Sequence, residues 1–327
     1  MDLQSIKAAL APELEKVNNC IAKSLKSDID LLEKVNSRIL SHSGKQLRPI
    51  VGLLCARACS GGFISGDTIL YATASELLHN ATLLHDDVAD EGTQRRGVPT
   101  VMSLLGGRAS VLLGDYWLVK GMENILQAVS SSSQVIRIYS KTLSDLAEGE
   151  LLQLQKADLG DTDEQDYYKI IFNKTASLFE ATGVAGAISV GASREKISAI
   201  KSYAKNIGLA FQVRDDIFDY RHEEAIGKPV GSDLKEKKIT LPLLGALANV
   251  SRDKEMSIRR MVSEIDAHPE YLETIAAFVI DNGGIEYAER KSAEFIDKAV
   301  IALRPLGESG DISMLKEIAS FVACRHS

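Results

Sequence analysis

Apolar residues recur every three or four positions along most of this chain, which is the spacing of one face of an α-helix. No stretch alternates apolar and polar residues in the way that predicts a half-buried strand. The repeat therefore predicts an all-α fold. The clearest amphipathic helices are predicted over residues 4–24, 28–41, 108–129, 134–156 and 194–220.

Helix boundary signals fit this pattern. Pro49 stands where a helix can begin, and Asp67 is placed to cap the N-terminus of the next helix. The Asp-Thr-Asp run at 161–163 predicts the start of another helix, and residues 227–238 read as a loop. No linker rich in Pro, Gly or Ser divides the chain, so we predict one large domain over residues 1–327.

Two of the apolar helical runs end in the same acidic pattern, Asp-Asp-x-x-Asp. The first aspartate motif is Asp86, Asp87 and Asp90, and the second aspartate motif is Asp215, Asp216 and Asp219. Aspartates four residues apart lie on one helix face about one turn apart. Because negative charge at the C-terminal end of a helix opposes the helix dipole, its repetition indicates bound cations. Magnesium is typically held by one or two carboxylates plus substrate phosphates, so the pattern predicts magnesium and a phosphate-bearing substrate.

Composition narrows the functional classes. Hydrophobic residues make up 45% of the chain and aromatic residues only 6%, which suits helix-on-helix packing. The net charge of -7 argues against a nucleic-acid partner. No apolar run reaches the roughly 18 residues needed to cross a bilayer, and the first residues lack a signal-peptide pattern. We therefore expect a cytoplasmic protein with small, metal-bound partners and no transmembrane segment.

The order of these motifs resembles that of the trans-prenyltransferases, or polyprenyl diphosphate synthases. Arg95, Arg96 and Gly97 follow the first motif, the Gly-Lys-Gln-Leu-Arg-Pro segment at 44–49 precedes it, and the match runs from about residue 45 to residue 240. The resemblance implies a large helical bundle of the isoprenoid synthase type with a central cavity, assembled as a homodimer. It implies a magnesium-dependent condensation of isopentenyl diphosphate with an allylic diphosphate, such as farnesyl or geranylgeranyl diphosphate, with three metal ions held by the six aspartates.

The resemblance also implies two sets of diphosphate contacts. Lys45, Arg48 and His79 would form the isopentenyl site that needs no metal, while Arg95 would contact the allylic diphosphate and Arg96 the isopentenyl diphosphate. His79 ranks above His85 because it lies two turns before Asp86 on nearly the same helix face. The remaining contacts to the allylic substrate are implied for Lys174, Thr175, Gln212, Lys228 and Lys238.

Two of these lysines, Lys174 and Lys228, join the aspartates as candidate catalytic residues. Positive charge there would neutralise the diphosphate as it leaves. Gln153 has only a possible water-binding or metal-shell role, and Arg325 could fold back over the site. Trp117, the only tryptophan, is interpreted as a core residue.

Product length is predicted from the residues one turn before Asp86. These are Ala81 and Thr82, whereas short-chain members of the family place bulky aromatic residues there. Small side chains at this gate leave room for a growing tail. The sequence therefore favours the long-chain, octaprenyl type, with a product longer than about twenty carbons and in the range of about thirty to forty.

Three alternatives stay open. A short-chain synthase that makes farnesyl or geranylgeranyl diphosphate is the nearest alternative. A terpene cyclase is disfavoured because the second motif here has three aspartates and because Lys45 and Arg48 suggest an isopentenyl site. A catalytically silent regulatory subunit is disfavoured because both aspartate motifs are intact.

Overall fold

The computed structural model describes residues 2–42, 44–95, 97–129, 132–220 and 231–324. The structure is 80% helical and has almost no strand among these residues, which confirms the predicted all-α class. The first eight α-helices are α1 Leu3–Ala9, α2 Ala11–Ser24, α3 Asp30–Ser41, α4 Leu47–Ser60, α5 Gly66–Ala89, α6 Val101–Leu105, α7 Gly107–Gln127 and α8 Ser132–Leu159.

The helices of the second half of the chain are shorter on average. They are α9 Glu164–Ile171, α10 Ser177–Ser189, α11 Arg194–Phe218, α12 Ser232–Lys235, α13 Leu241–Leu247, α14 Arg252–Ser263, α15 Tyr271–Asp281, α16 Gly284–Ala302 and α17 Gly310–Cys324. A π-helical turn, Phe172–Ala176, joins α9 to α10, and a 3-10 turn spans Arg304–Leu306. No helix of the described chain is both long and apolar enough to cross a membrane.

The sequence pattern missed one small feature. Strands β1 (Gln94–Arg95) and β2 (Val98–Pro99) pair antiparallel directly after the first aspartate motif, with Gln94 opposite Pro99. Strands of two residues are too short to leave an alternating pattern of apolar and polar positions.

Two compact units make up the chain. The first comprises Met1–Ser140, Ala181–Ile200 and Leu306–Leu315, and the second comprises Lys141–Glu180, Lys201–Pro305 and Lys316–Ser327. The prediction of a single domain over residues 1–327 stays a prediction.

Helix α5 is central to the first unit. It packs against α7, α4 and α2, and its buried apolar side chains include Tyr71, Leu77, Leu78 and Leu84. Trp117 of α7 is 1% exposed, and its indole nitrogen donates a 2.9 Å hydrogen bond to Oδ1 of Asn36. The core position predicted for this tryptophan is confirmed.

The N-terminus of α5 differs from the prediction. Asp67 is not the N-cap, because Ser65 takes that position and its hydroxyl accepts the backbone N–H of Thr68 at 3.1 Å. The Thr68 hydroxyl accepts the backbone N–H of Ser65 in return, at 3.2 Å. Asp67 instead accepts the backbone N–H of Val129 at 3.2 Å. A reciprocal capping box satisfies two backbone donors at once, which a single aspartate cap does not.

Glycines bring helix backbones of the first unit into contact. A Cβ added at Gly186 of α10 would lie 2.4 Å from the carbonyl oxygen of Gly52 in α4. A Cβ at Gly114 of α7 would overlap the imidazole of His85, and one at Gly121 would overlap Leu78. The face of α5 that carries Leu78 and His85 therefore lies against α7.

The second unit has its own apolar core. Tyr167 of α9, Val213 and Ile217 of α11, and the wholly buried helix α13 belong to one cluster that α14, α15 and α16 complete. Because α13 is buried on all sides, apolar residues occupy nearly every position along it, as is typical of a helix enclosed by others. This core fixes α9 and α11, which carry part of the candidate site.

A substitution at the α4–α10 crossing tests this packing. We expect Gly186→Ala to lower the free energy of unfolding by about 1–3 kcal/mol, because the added methyl forces two backbones apart. Gly66→Ala is the control, since a Cβ there meets no atom within 4 Å. Urea denaturation of both variants measures the difference, and an equal midpoint for the two proteins would contradict the close crossing.

Candidate active site

The first aspartate motif lies where α5 ends. Asp86 and Asp87 belong to the last turn of the helix, and Asp90 is its C-cap residue. Asp86 is half-buried and Asp90 is exposed, and their spacing places them on one face of the helix. Asp87 is buried at 6% exposure. The predicted arrangement of these three side chains is therefore present, but they lie in different surroundings.

Arg95 of β1 contacts the buried member of the first motif. Its Nε donates a 2.9 Å hydrogen bond to Oδ1 of Asp87. Burial raises the pKa of Asp87, and the Arg95 guanidinium opposes that rise. The structure thus places Arg95 at the motif as the partner of Asp87. Arg96, the other predicted diphosphate contact of this segment, lies outside the described residues.

The two histidines of α5 occupy different faces. His79 is half-buried, and its carbonyl accepts the hydroxyl of Thr82 at 2.8 Å. Nε2 of His85 lies 3.3 Å from the carbonyl oxygen of Val111 and 3.3 Å from Oδ1 of Asp115, both on α7. His85 therefore contacts α7, and the ranking of His79 above it stays a prediction.

The two predicted gate residues, Ala81 and Thr82, lie on different faces of α5. Ala81 is fully buried, and its position between Leu78 and His85 assigns it to the face of α5 that meets α7. Thr82 is half-buried and lies one turn before Asp86 on the same face. Five residues separate Ala81 from Asp86, which turns the two side chains about 140° apart.

Three of the predicted isopentenyl contacts, Lys45, Arg48 and His79, belong to the first unit. Arg48 is buried in the first turn of α4, the helix that packs against α5, where His79 lies. Lys45 is exposed and precedes α4. Arg48 and His79 thus lie on neighbouring helices, and Lys45 lies two residues before the first residue of α4.

The second aspartate motif ends α11, and its central member is enclosed by hydrogen bonds. Asp216 is 3% exposed. The Tyr167 hydroxyl donates to its Oδ2 at 2.6 Å, and Nε2 of Gln212 donates to its Oδ1 at 2.9 Å. Asp215 beside it is half-buried. Both oxygens of Asp216 are therefore engaged by protein groups.

Asp219, the last member, anchors the chain that follows. Its Oδ1 accepts the backbone N–H of Ser232 at 2.9 Å, and its Oδ2 accepts that of Asp233 at 3.0 Å. The Ser232 hydroxyl also donates to Oδ1, at 2.7 Å. The carboxylate predicted as a metal ligand thus holds the first residues of α12.

Burial and mutual repulsion act strongly on this acidic group. Burial raises the pKa of Asp216 to about 7, with further increases from the charges of Asp215 and Asp219 and an opposing effect from its two hydrogen bonds. Burial, with the charges of Asp216 and Asp219, also raises the pKa of Asp233 well above its usual value, and Lys238 opposes the rise. A cation bound here would relieve this repulsion.

Sequence reasoning missed Tyr167 and Asp233. Asp233 lies between the predicted contacts Lys228 and Lys238, and its place near the second motif would have suggested a fourth carboxylate. Tyr167 carries no signal in the sequence, because a tyrosine on an amphipathic helix reads as a core residue. Only the packing of α9 against α11 brings its hydroxyl to Asp216.

The π-helical turn presents the predicted allylic contacts. Thr175 is buried, and its hydroxyl donates a 2.7 Å hydrogen bond to Oε1 of Gln212. Lys174 pairs with Glu150 of α8. A Cβ at Gly149 would lie 2.7 Å from Cβ of Asn173, so α8 approaches this turn closely. π-Turns inside helices are frequent at functional sites, and this one connects Lys174 and Thr175 to Gln212 and the second motif.

The remaining predicted site residues are Lys238, Gln153, Lys228 and Arg325. Lys238 is half-buried and pairs with Glu236. Gln153 is half-buried, and its Nε2 is shielded from solvent without a hydrogen bond in the described structure. Lys228 and Arg325 lie outside the described residues.

Comparisons with known proteins identify the family of this chain. The polyprenyl synthetase family model matches residues 29–279. The chain belongs to the polyprenyl synthetase family. This confirms both the predicted resemblance and the predicted prenyltransferase class.

Individual members of the polyprenyl synthetase family differ in product class. The chain is 36% identical over 310 residues to octaprenyl diphosphate synthase of Haemophilus influenzae, covering 94% of this chain and 93% of that protein. It is 34% identical over 303 residues to a short chain isoprenyl diphosphate synthase of Methanothermobacter thermautotrophicus, covering 90% and 91%. A polyprenyl synthase of Caulobacter crescentus, solved with calcium and isoprenyl diphosphate, matches with a TM-score of 0.92 and 31% identity, covering 100% of this chain and 98% of that one.

The acidic side chains fit a divalent cation by their chemistry. Carboxylate oxygens are the ligands that magnesium and calcium prefer. Among the described residues no three His, Cys, Asp or Glu side chains form a group that could hold a metal ion. Magnesium commonly takes one or two carboxylates and completes its shell with water and substrate phosphates. Asp86, Asp90 and Asp215 suit that mode because none is buried, whereas both oxygens of Asp219 accept backbone N–H groups.

Removing the Tyr167 hydroxyl tests the hydrogen bonds at Asp216. We expect Tyr167→Phe to lower the free energy of unfolding by about 1–3 kcal/mol, because a buried carboxylate oxygen loses its donor. Tyr116→Phe, which removes a hydroxyl from a half-exposed tyrosine of α7, is the control. Denaturant unfolding of the two variants gives the comparison, and equal stabilities would argue against this bond.

Proposed function

We propose that this protein condenses isopentenyl diphosphate with an allylic diphosphate and repeats the step to build a long all-trans polyprenyl diphosphate. The observation that carries the proposal is the pair of aspartate motifs, each ending a helix, in a chain that belongs to the polyprenyl synthetase family. The solved relative from Caulobacter crescentus, with calcium and isoprenyl diphosphate bound, supports the same substrate class.

Magnesium is the cofactor of this proposal, with three ions per site. Bound magnesium would withdraw electron density from the allylic diphosphate and so favour cleavage of its carbon–oxygen bond. The metal site of this proposal is formed by the six aspartates Asp86, Asp87, Asp90, Asp215, Asp216 and Asp219. Asp86, Asp90 and Asp215 would bind directly. The enclosed Asp87, Asp216 and Asp219 would act through the hydrogen bonds that shape each motif.

Basic and polar side chains would bind the two diphosphates. Lys174 and Thr175, with Arg95, Gln212, Lys228 and Lys238, are proposed for the allylic substrate. Lys45, Arg48, His79 and Arg96 are proposed for isopentenyl diphosphate. Their positive charge would stabilise the leaving diphosphate, while apolar surroundings would keep water from the allylic cation.

A long product is proposed on two grounds. The gate residues Ala81 and Thr82 are small, and the relative from Haemophilus influenzae is named an octaprenyl diphosphate synthase. The short-chain relative at 34% identity keeps a farnesyl or geranylgeranyl synthase as a second candidate. A non-catalytic subunit is a further, less favoured alternative.

A homodimer is also proposed, and an exposed apolar row supports it. Leu112, Val119 and Leu126 of α7 follow one another at intervals of seven residues, and each is exposed by 51% or more. Side chains at that interval repeat along one helix face, as in a seam between packed helices. The cytoplasmic location expected from the sequence stays a prediction.

One assay tests the proposed reaction. We expect the pure protein to extend farnesyl or geranylgeranyl diphosphate with labelled isopentenyl diphosphate, only when magnesium is present, with product length read by chromatography. Asp86→Asn should reduce the rate by about a hundredfold or more, since it removes a charged ligand. Asp158→Asn, at an exposed position of α8, should not. An inactive pure protein would favour the regulatory-subunit alternative.

The gate is tested by adding aromatic bulk. We expect Ala81→Phe and Thr82→Phe to shorten the product, with a smaller loss of stability for Thr82→Phe because Ala81 is fully buried against α7. Chromatography of the products and thermal unfolding of both variants separate a blocked cavity from a damaged fold. Unchanged product length in two folded variants would reject the gate.

A further inference from the structure

Helix α8 holds Lys174 at both ends of its side chain. Gly149 lies beneath the lysine, where an added Cβ would come within 3.0 Å of Lys174 Cγ and 3.1 Å of its backbone nitrogen. The next residue of α8, Glu150, pairs with the Lys174 ammonium. Gly149 leaves room for the aliphatic part of the Lys174 side chain, and the Glu150 carboxylate binds its ammonium group. Together they fix the direction of this side chain.

The position of the turn does not depend on this ion pair alone. The side chains of Lys174 and Glu150 are 24% and 26% exposed, so solvent reaches the pair and screens part of their attraction. The turn is already held by other contacts, because Thr175 bonds to Gln212 and Ala176 lies against Gly208 of α11, where a Cβ would meet its Cα at 2.5 Å. These contacts keep the turn in place when the carboxylate at position 150 is replaced by an amide of the same size.

We propose that Glu150 is a positioning residue that presents Lys174 to a diphosphate and, through its own negative charge, limits how tightly the site holds that diphosphate. The inference rests on the proposed function, in which Lys174 contacts the allylic diphosphate. A lysine ammonium has three donors, so it can bind a diphosphate oxygen while one donor stays with Glu150. The carboxylate then lies close to the bound anion and repels it.

The charge has a consequence for turnover. Each condensation leaves a free diphosphate that must depart before the next allylic substrate binds. Repulsion from Glu150 raises the free energy of the bound diphosphate and so speeds its release. Removing the charge while keeping a hydrogen-bond acceptor should therefore trap the diphosphate without misplacing Lys174.

Binding of inorganic pyrophosphate tests this role directly. With magnesium present, we expect Glu150→Gln to bind pyrophosphate about three- to tenfold more tightly than the unaltered protein, since one like charge is gone while the amide oxygen still accepts from Lys174. The gain should shrink as salt is raised. Isothermal titration calorimetry measures the affinity, and steady-state kinetics should show stronger inhibition by pyrophosphate.

Three further variants make the result specific. Glu148 lies two residues earlier on α8, where it is exposed and accepts a hydrogen bond from the Ser144 hydroxyl at 3.2 Å. Glu148→Gln should therefore leave the affinity for pyrophosphate unchanged. Glu150→Asp keeps the charge and should not tighten binding. Glu150→Ala, a second neutral variant, should also bind pyrophosphate more tightly. The gain should be smaller, because the Lys174 ammonium loses the acceptor that positions it.

The outcomes separate this inference from the proposed function. If Glu150→Gln and Glu150→Ala bind pyrophosphate no more tightly than the unaltered protein, or if Glu150→Asp gains as much as they do, the role of the charge is overturned. Lys174→Gln should weaken pyrophosphate binding whether or not the role of the Glu150 charge holds. If the unaltered protein binds no magnesium pyrophosphate, the proposed function itself fails.

Discussion

A carboxylate taken out of water must be satisfied by the protein, and the arrangement around Asp216 follows from that requirement. Tyr167 from α9 and Gln212 from one turn earlier on α11 supply its two donors. Because Gln212 also accepts from Thr175, the same network fixes the π-helical turn that carries Lys174. Hydrogen bonds stabilise a buried charge, and the loss of any one donor lowers the free energy of unfolding. One desolvated group thus sets the positions of several candidate substrate contacts.

Within each aspartate motif the members have different surroundings. Asp87 is buried and bonds to Arg95, and Asp219 binds the first backbone amides of α12. Asp86 and Asp90 share the outward face at the end of α5. A pattern with three identical residues therefore combines side chains that can meet a cation with side chains that shape the turn. This division agrees with magnesium sites, which use few protein ligands and many other oxygens.

Close contacts at glycine bring these groups to their places. Gly149 and Gly208 each let a neighbouring helix reach the π-helical turn, and Gly186 lets α10 meet α4. A Cβ at any of these positions would overlap a neighbour, so the helices would have to separate. Small shifts of this kind matter at a site where charged groups must lie within hydrogen-bond distance of a substrate.

Helix periodicity and Asp-Asp-x-x-Asp spacing are local patterns, so the helical class, the two aspartate motifs and the family could be predicted without knowing how the helices pack. The ranking of His79 above His85 also comes from the turn of one helix, and it stays a prediction. Only the tertiary structure showed that Tyr167 and Gln212 enclose Asp216 and that Glu150 pairs with Lys174. Those partners lie on separate helices, and the way that helices pack, rather than the pattern along any one of them, decides which side chains meet.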